Sequence, residues 1–100
     1  MKEQFIYVIR PKRLGMLTDG PTPEEEAIVG RHFSYLKNLY ASGVVLLAGR
    51  TQDADETSFG IVILTAESEP EARGIMMGDP AVKEGVMTSE FHPYRVAIPG

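Results

Sequence analysis

Residues 44–47 read Val-Val-Leu-Leu and residues 61–64 read Ile-Val-Ile-Leu, two runs with no polar residue at either alternate position. Successive side chains of a strand point to opposite faces, so strands built from such runs need cover on both faces. Residues 4–10, Gln-Phe-Ile-Tyr-Val-Ile-Arg, add a third strand, with Phe5, Tyr7 and Ile9 on one face and Ile6 and Val8 on the other. Any fold of this chain must therefore bury two faces of a sheet.

Two helices supply cover for one of them. Thr22 can cap a helix, Pro23 suits its first position, and Glu25 completes a capping box with Thr22. Glu24, Glu25 and Glu26 favour the positive end of its dipole. The helix is expected to run to about Ser42, with Gly43 closing it in the left-handed conformation. At helical spacing Val29, Phe33, Leu36, Leu39 and Tyr40 share one arc, His32 falls inside it, and Arg31, Ser34, Lys37 and Asn38 lie opposite. A second capping box, Ser68-Glu69-Pro70-Glu71, opens a helix with Ala72, Ile75 and Met76 inward and Gly78 at its end. Residues 80–85 suit a single helical turn.

The remaining elements are strands and loops. Residues 44–49 read as a buried strand and 58–66 as its hairpin partner, joined by the polar loop 50–57. Residues 86–97 read as a last strand, which Pro93 restricts to an edge or a bulge. Residues 11–22, PKRLGMLTDGPT, lack periodicity and form a loop long enough to suggest a functional role. The order strand, helix, strand, strand, helix, strand is the ferredoxin-like βαββαβ plan, an α+β fold with a four-stranded antiparallel sheet and two helices on one face. Residues 1–100 are expected to form a single domain.

The helix-free face stays apolar, a larger patch than soluble monomers expose. A homodimer that buries the two helix-free faces against each other is expected; the competing arrangement folds loop 11–22 over the open face. With 43% apolar and 24% charged residues the chain is globular, and it holds more apolar surface than one small sheet can use. Ten basic and 14 acidic residues give a net charge of −4, which argues against a nucleic-acid partner. No apolar run approaches the ~18 residues of a membrane span, and the N-terminal apolar stretch is too short for a signal peptide, so a soluble cytoplasmic protein is expected. The absence of cysteine removes disulfides, thiol nucleophiles and Cys-ligated zinc.

Chemistry then falls to oxygen and nitrogen groups, and His32 is the most informative of them. A histidine in an apolar stripe is either a satisfied core residue or a general acid or base. As a base it needs a carboxylate to hold its tautomer. Asp79 is the candidate, although it could equally cap the turn that starts at Pro80. Tyr35, three residues after His32, can reach the same pocket or pack in the core. Arg50 can bind an anionic substrate or stand in solvent. Arg10, Lys12 and Arg13 form a basic cluster that suits an anion clamp on a mobile lid or an ordinary solvated loop. Asp53, Asp55 and Glu56 lack the glycine and distal glutamate of a calcium loop. A metal site joining His32 and His92 lacks a third ligand, and none is expected.

Arg31-His32-Phe33-Ser34-Tyr35-Leu36, Gly43, Leu47-Ala48-Gly49, Gly60, Glu69-Pro70-Glu71-Ala72, Gly78-Asp79-Pro80 and Gly85-Val86 stand in an order that resembles the YciI-like (YCII-related) family of the dimeric α/β-barrel superfamily. The resemblance covers nearly the whole chain. It implies a ferredoxin-like protomer, a back-to-back sheet dimer, and His32 and Asp79 as an active-site pair lining a pocket. It further implies lyase, isomerase or dehydrochlorinase-type chemistry on a small organic substrate, without metal or organic cofactor. Two positions depart from the family: Arg50 stands where proline is usual, and Ala81 where an aromatic residue is common. Both sit near the expected pocket rim and bear on substrate identity. Catalytic His32 and Asp79, with Tyr35, Arg50 and Arg10 binding substrate, are the expected site. The rival expectation is a dimeric module that binds a small ligand without turning it over.

Overall fold

The computed structural model describes residues 2–100. Its elements are β1 (Glu3–Pro11), α1 (Gly15–Thr18), α2 (Pro23–Ala41), β2 (Val45–Arg50), β3 (Gly60–Ala66), α3 (Glu69–Gly78), α4 (Pro80–Lys83) and β4 (Met87–Tyr94). The strands form one antiparallel sheet in the order β2-β3-β1-β4, the ferredoxin-like α+β arrangement. No helix among the described residues is long and apolar enough to cross a membrane.

The inner face follows from the alternation of β1. Phe5, Tyr7 and Ile9 pair with Leu64, Val62 and Gly60 of β3. These side chains, with Leu36, Val45, Ala66, Ala72 and Met76, make the core. Each large side chain buried there stabilises the fold by roughly 1.5–3 kcal/mol. α2 packs on β2 and α4, and α3 on β3 and α4.

The helix boundaries follow their local signals. In α2 the Glu25 amide donates to Thr22 Oγ1 at 3.1 Å, and the Thr22 amide to Glu25 Oε1 at 2.8 Å. Gly43 ends the segment at φ 82°, where an L side chain would be strained. At α3 only half of the expected box forms: Ser68 accepts from the Glu71 amide, but the Glu71 carboxylate turns to the Glu67 amide. Pro93 lies in β4, an edge strand, where its missing donor costs the sheet nothing.

Three expectations need correction. The buried seam of α2 is Ile28, His32 and Leu36, whereas Phe33 is 52% and Tyr40 65% exposed. The helix is thus rolled so that part of its apolar arc faces a cleft instead of the core. In β2 only Val45 is buried, and residues 46–50 are exposed. β2 is the other sheet edge, and a bulge at Leu46 turns it outward. Segment 11–22 is not structureless: it holds the single helical turn α1, pinned by buried Met16.

The open face is apolar at its centre. Ile6 and Val8 of β1 stand beside Ile63 and Ile61 of β3, with Leu47 of β2 next to Ile63. On its far side β4 adds Glu90 and His92 opposite Val8 and Ile6. Segment 11–22 does not cover this face: its residues Met16, Leu17, Gly20 and Pro21 line a cleft with His32 and Phe33, on the helix side of the sheet.

Candidate active site

Pro80 disfavours helical geometry at the residue before it, and Asp79 is extended at φ −64°, ψ 122°. The break ends α3 at Gly78, starts α4, and turns the Asp79 side chain inward, where it is fully buried. Its Oδ1 accepts from the Ala81 amide at 3.0 Å, capping α4, and lies 2.7 Å from His32 Nδ1. Its Oδ2 accepts from the Tyr7 hydroxyl at 2.7 Å. Capping and the histidine contact, rival readings in the sequence, coexist because a carboxylate has acceptor sites for both.

Three donors from β1, α2 and α4 thus converge on one buried carboxylate. With Asp79 as a carboxylate, which only accepts, a neutral His32 donates through Nδ1 and keeps its lone pair on Nε2. Tyr7 stays a donor: burial first, then the charge of Asp79 and the hydrogen bond to it, push its phenol far above the ordinary tyrosine range. Sequence reasoning placed Tyr7 on one face of β1 with Phe5 and Ile9, but neither on the inward side nor in the site. A signal was present, since a buried tyrosine hydroxyl needs a partner.

His32 is also part of the wall of a cleft of about 1060 Å³ between α2, β2 and segment 11–22. Phe33, Tyr40, Met16, Leu17, Leu46 and Phe59 make most of that wall apolar. Its charged groups are Lys37, Arg50, Glu26 and Asp53. Asp79 and Tyr7 stand behind His32, out of the lining. The arrangement sets His32 in the wall of a mostly apolar chamber that also holds two cations and two carboxylates, which suits proton transfer on a small, largely apolar molecule.

The other sequence candidates are distributed as follows. Arg50 lines the cleft. Arg10 does not; it pairs with Glu90 at 3.6 Å and lies over the Phe59 ring. Tyr35 turns away, donating its hydroxyl to the Ile75 carbonyl at 2.7 Å. That hydroxyl explains Gly78, where an added Cβ would come within 2.9 Å of it. His92 bonds Glu90 on the open face, the side of the sheet opposite the helices that include His32. Among the described residues no group of three His, Asp or Glu side chains could hold a metal ion.

Arg13 has a structural occupation. Its guanidinium grips Glu25 through two bonds, at 2.6 and 2.9 Å, and donates to the Gly20 carbonyl. Glu25 therefore closes both the α2 cap and the segment that walls the cleft. The Arg13 hydrogen bonds, ahead of the Thr22 amide, hold its carboxyl down to about 2 from an ordinary 4.5. A depressed carboxyl contributes stability that is present above its unfolded value and lost as pH falls toward the folded one. The protection of amides at Leu14–Gly20, relative to their intrinsic exchange at each pH, is expected to fall between pH 4.5 and 2, and Arg13→Ala is expected to show that loss at neutral pH. Equal protection in both proteins would exclude the latch.

This chain buries a His–Asp pair between its sheet and helices, and its fold defines a class, the small ferredoxin-like α+β proteins. Within it, this chain belongs to the YCII-related domain family, whose sequence model matches residues 5–90. No curated protein matches it. Among solved structures it is similar to 5-chloro-2-hydroxyhydroquinone dehydrochlorinase (TftG) from Burkholderia phenoliruptrix, determined with 2,5-dihydroxybenzoquinone, at TM-score 0.63 and 23% identity over 91% of this chain and 93% of that one. It is also similar to an uncharacterised protein of Thermotoga maritima, at TM-score 0.55 and 13% identity over 95% of this chain and 100% of that one. Both likenesses concern the fold.

Proposed function

We propose that this protein is a cofactor-independent enzyme in which His32, held by Asp79, transfers protons on a small organic substrate, cyclic or anionic. The observation that carries this reading is the 2.7 Å contact between His32 Nδ1 and buried Asp79, on a ring that also borders the cleft. Nε2 takes a proton from a carbon or oxygen acid, and the released electron pair forms a new double bond. In a lyase or dehydrochlorinase the pair expels a leaving group from the adjacent carbon; in an isomerase the imidazolium returns the proton at a second carbon. Arg50 is the cleft cation best suited to hold an anionic group; Arg10 and Tyr35, outside the lining, would act through a rearranged rim.

The test is a substrate panel. The ring bound by the fold neighbour from Burkholderia makes hydroxylated and chlorinated six-membered rings the first choice. Time-dependent product without added metal or organic cofactor supports the proposal. Stabilisation of the fold by such compounds with no product would support the rival reading, a binding module.

The working unit is proposed to be a homodimer through the helix-free face, supported by its half-buried Ile6, Val8 and Ile61 with exposed Leu47 on the same sheet. Wild type is expected to sediment as a dimer at micromolar concentration. Ile6→Lys, which puts a charge on a half-buried position, is expected to yield a folded monomer. A wild-type monomer would remove the dimer from the proposal.

A further inference from the structure

We propose that Tyr7 is a positioning residue: its hydroxyl, donated to Asp79 Oδ2, orients the carboxylate so that Oδ1 takes the Nδ1 proton of His32 and the Nε2 lone pair is left for the cleft. This deepens the reading of His32 as a base and rests on it. Tyr7 touches neither the cleft nor any substrate position; it acts through Asp79.

Tyr7 lies on β1, a central strand of the sheet. It occupies the middle inward position of β1, flanked across the sheet by Val62 and Phe91 and along the strand by Phe5 and Ile9. Phenylalanine would fill that apolar position equally well. What tyrosine adds is a hydroxyl that reaches from the sheet to the α3–α4 junction, 72 residues along the chain. Without it, Asp79 keeps fixed donors only on Oδ1, from Ala81 and His32. Oδ2 is then a buried acceptor with nothing opposite, and the carboxylate can rotate about its own bond and exchange its oxygens. With it, both oxygens are assigned, one to the sheet and one to the helices.

Proton balance gives the direction of the effect. The pair carries no titratable proton when Asp79 is ionised and His32 is neutral. That form has an uncompensated buried negative charge, so it depends most on the Tyr7 bond. When the pair holds one proton, on either partner, the charge is compensated internally. Removing the hydroxyl therefore disfavours the proton-free form, and the ring must keep its proton to higher pH. The groups around the pair are Tyr7 from β1, Tyr35 from α2, Glu26 and Lys37 along the same helix and, across the cleft, Arg50 and Asp53. Among the described residues only Tyr7 donates a side-chain hydrogen bond to Asp79 besides His32 itself.

The experiment is ring nitrogen NMR on the full chain, which holds two histidines, with His32→Gln to assign the signals. In wild type the neutral ring is expected as the Nδ1–H form. In Tyr7→Phe the ring is expected to mix tautomers and to titrate about half to one pH unit higher. Site-specific 3-fluorotyrosine at position 7, a more acidic phenol and better donor, is expected to move the midpoint the other way with the packing intact. If Tyr7→Phe does not fold, the fluorinated protein decides alone. A tautomer and midpoint unchanged by fluorination, or an Nε2–H ring in wild type, would overturn the proposal. Turnover lost in His32→Gln beside a ring insensitive to position 7 would remove Tyr7 and leave the base; an insensitive turnover beside a responsive ring would do the reverse.

Discussion

Asp79→Ala is expected to destabilise the protein by about 3–5 kcal/mol, the range for removing one partner of a buried charged network. Alanine leaves the Tyr7 hydroxyl, the His32 Nδ1–H and the Ala81 amide without an acceptor, all in a region closed to water. It also removes the cap of α4. Against a total of about 5–15 kcal/mol for a domain of this size, that is a large fraction. Thermal unfolding is expected about 12 °C or more below wild type. Asp79→Asn should lose less, because an amide oxygen in the place of Oδ1 still accepts from Ala81 and His32 while its NH2 can donate to the Tyr7 hydroxyl oxygen. Circular dichroism melts of the three proteins check this. A change of less than about 1 kcal/mol in Asp79→Ala would mean that the carboxylate is not the hub of this region.

His32→Gln is expected to lower turnover by about 10²–10⁴-fold on whatever substrate the panel identifies, the usual contribution of a positioned acid or base. Glutamine is the informative replacement. Its amide NH2 can still donate to Asp79 Oδ1, so the buried carboxylate keeps a partner and the fold should hold to within about 1–2 kcal/mol. It cannot take a proton at neutral pH, so stability and turnover separate. His32→Ala would confuse them by leaving a cavity and an orphaned acceptor. Full turnover in a folded His32→Gln protein would end the general-base reading.

Much of the architecture was legible in the sequence because its signals are local. Thr22, Pro23 and Glu25 specify the start of α2 within one turn of chain, and Gly43 its end. The alternation puts Phe5, Tyr7 and Ile9 together on one face of β1, and packing of the helices makes that face the inward one. β2 was less legible: an unbroken apolar run reads as buried, yet an edge strand with a bulge exposes it. The apolar arc of α2 misled for a related reason. Periodicity says which residues share a side, but not whether that side meets core or cleft, and Phe33 and Tyr40 meet the cleft. Arg13 was readable as a basic loop residue but not as the partner of Glu25, because the capping box alone accounted for that glutamate.

The site divides in the same way. His32 was conspicuous as a titratable residue among apolar ones, and Asp79 as an aspartate between Gly78 and Pro80. Tyr7 had no such contrast, since tyrosine is at home on an inward strand face. Capping, alternation and helical spacing act over a few residues, so the order of elements and the ferredoxin-like plan were already present in the one-dimensional chain. The convergence of Tyr7, His32 and Ala81 on Asp79 spans β1, α2 and α4, separated by up to 72 residues. Such a contact exists only once the sheet and helices have packed. Hydrogen bonds of this kind act over about 3 Å, and no local propensity carries that information.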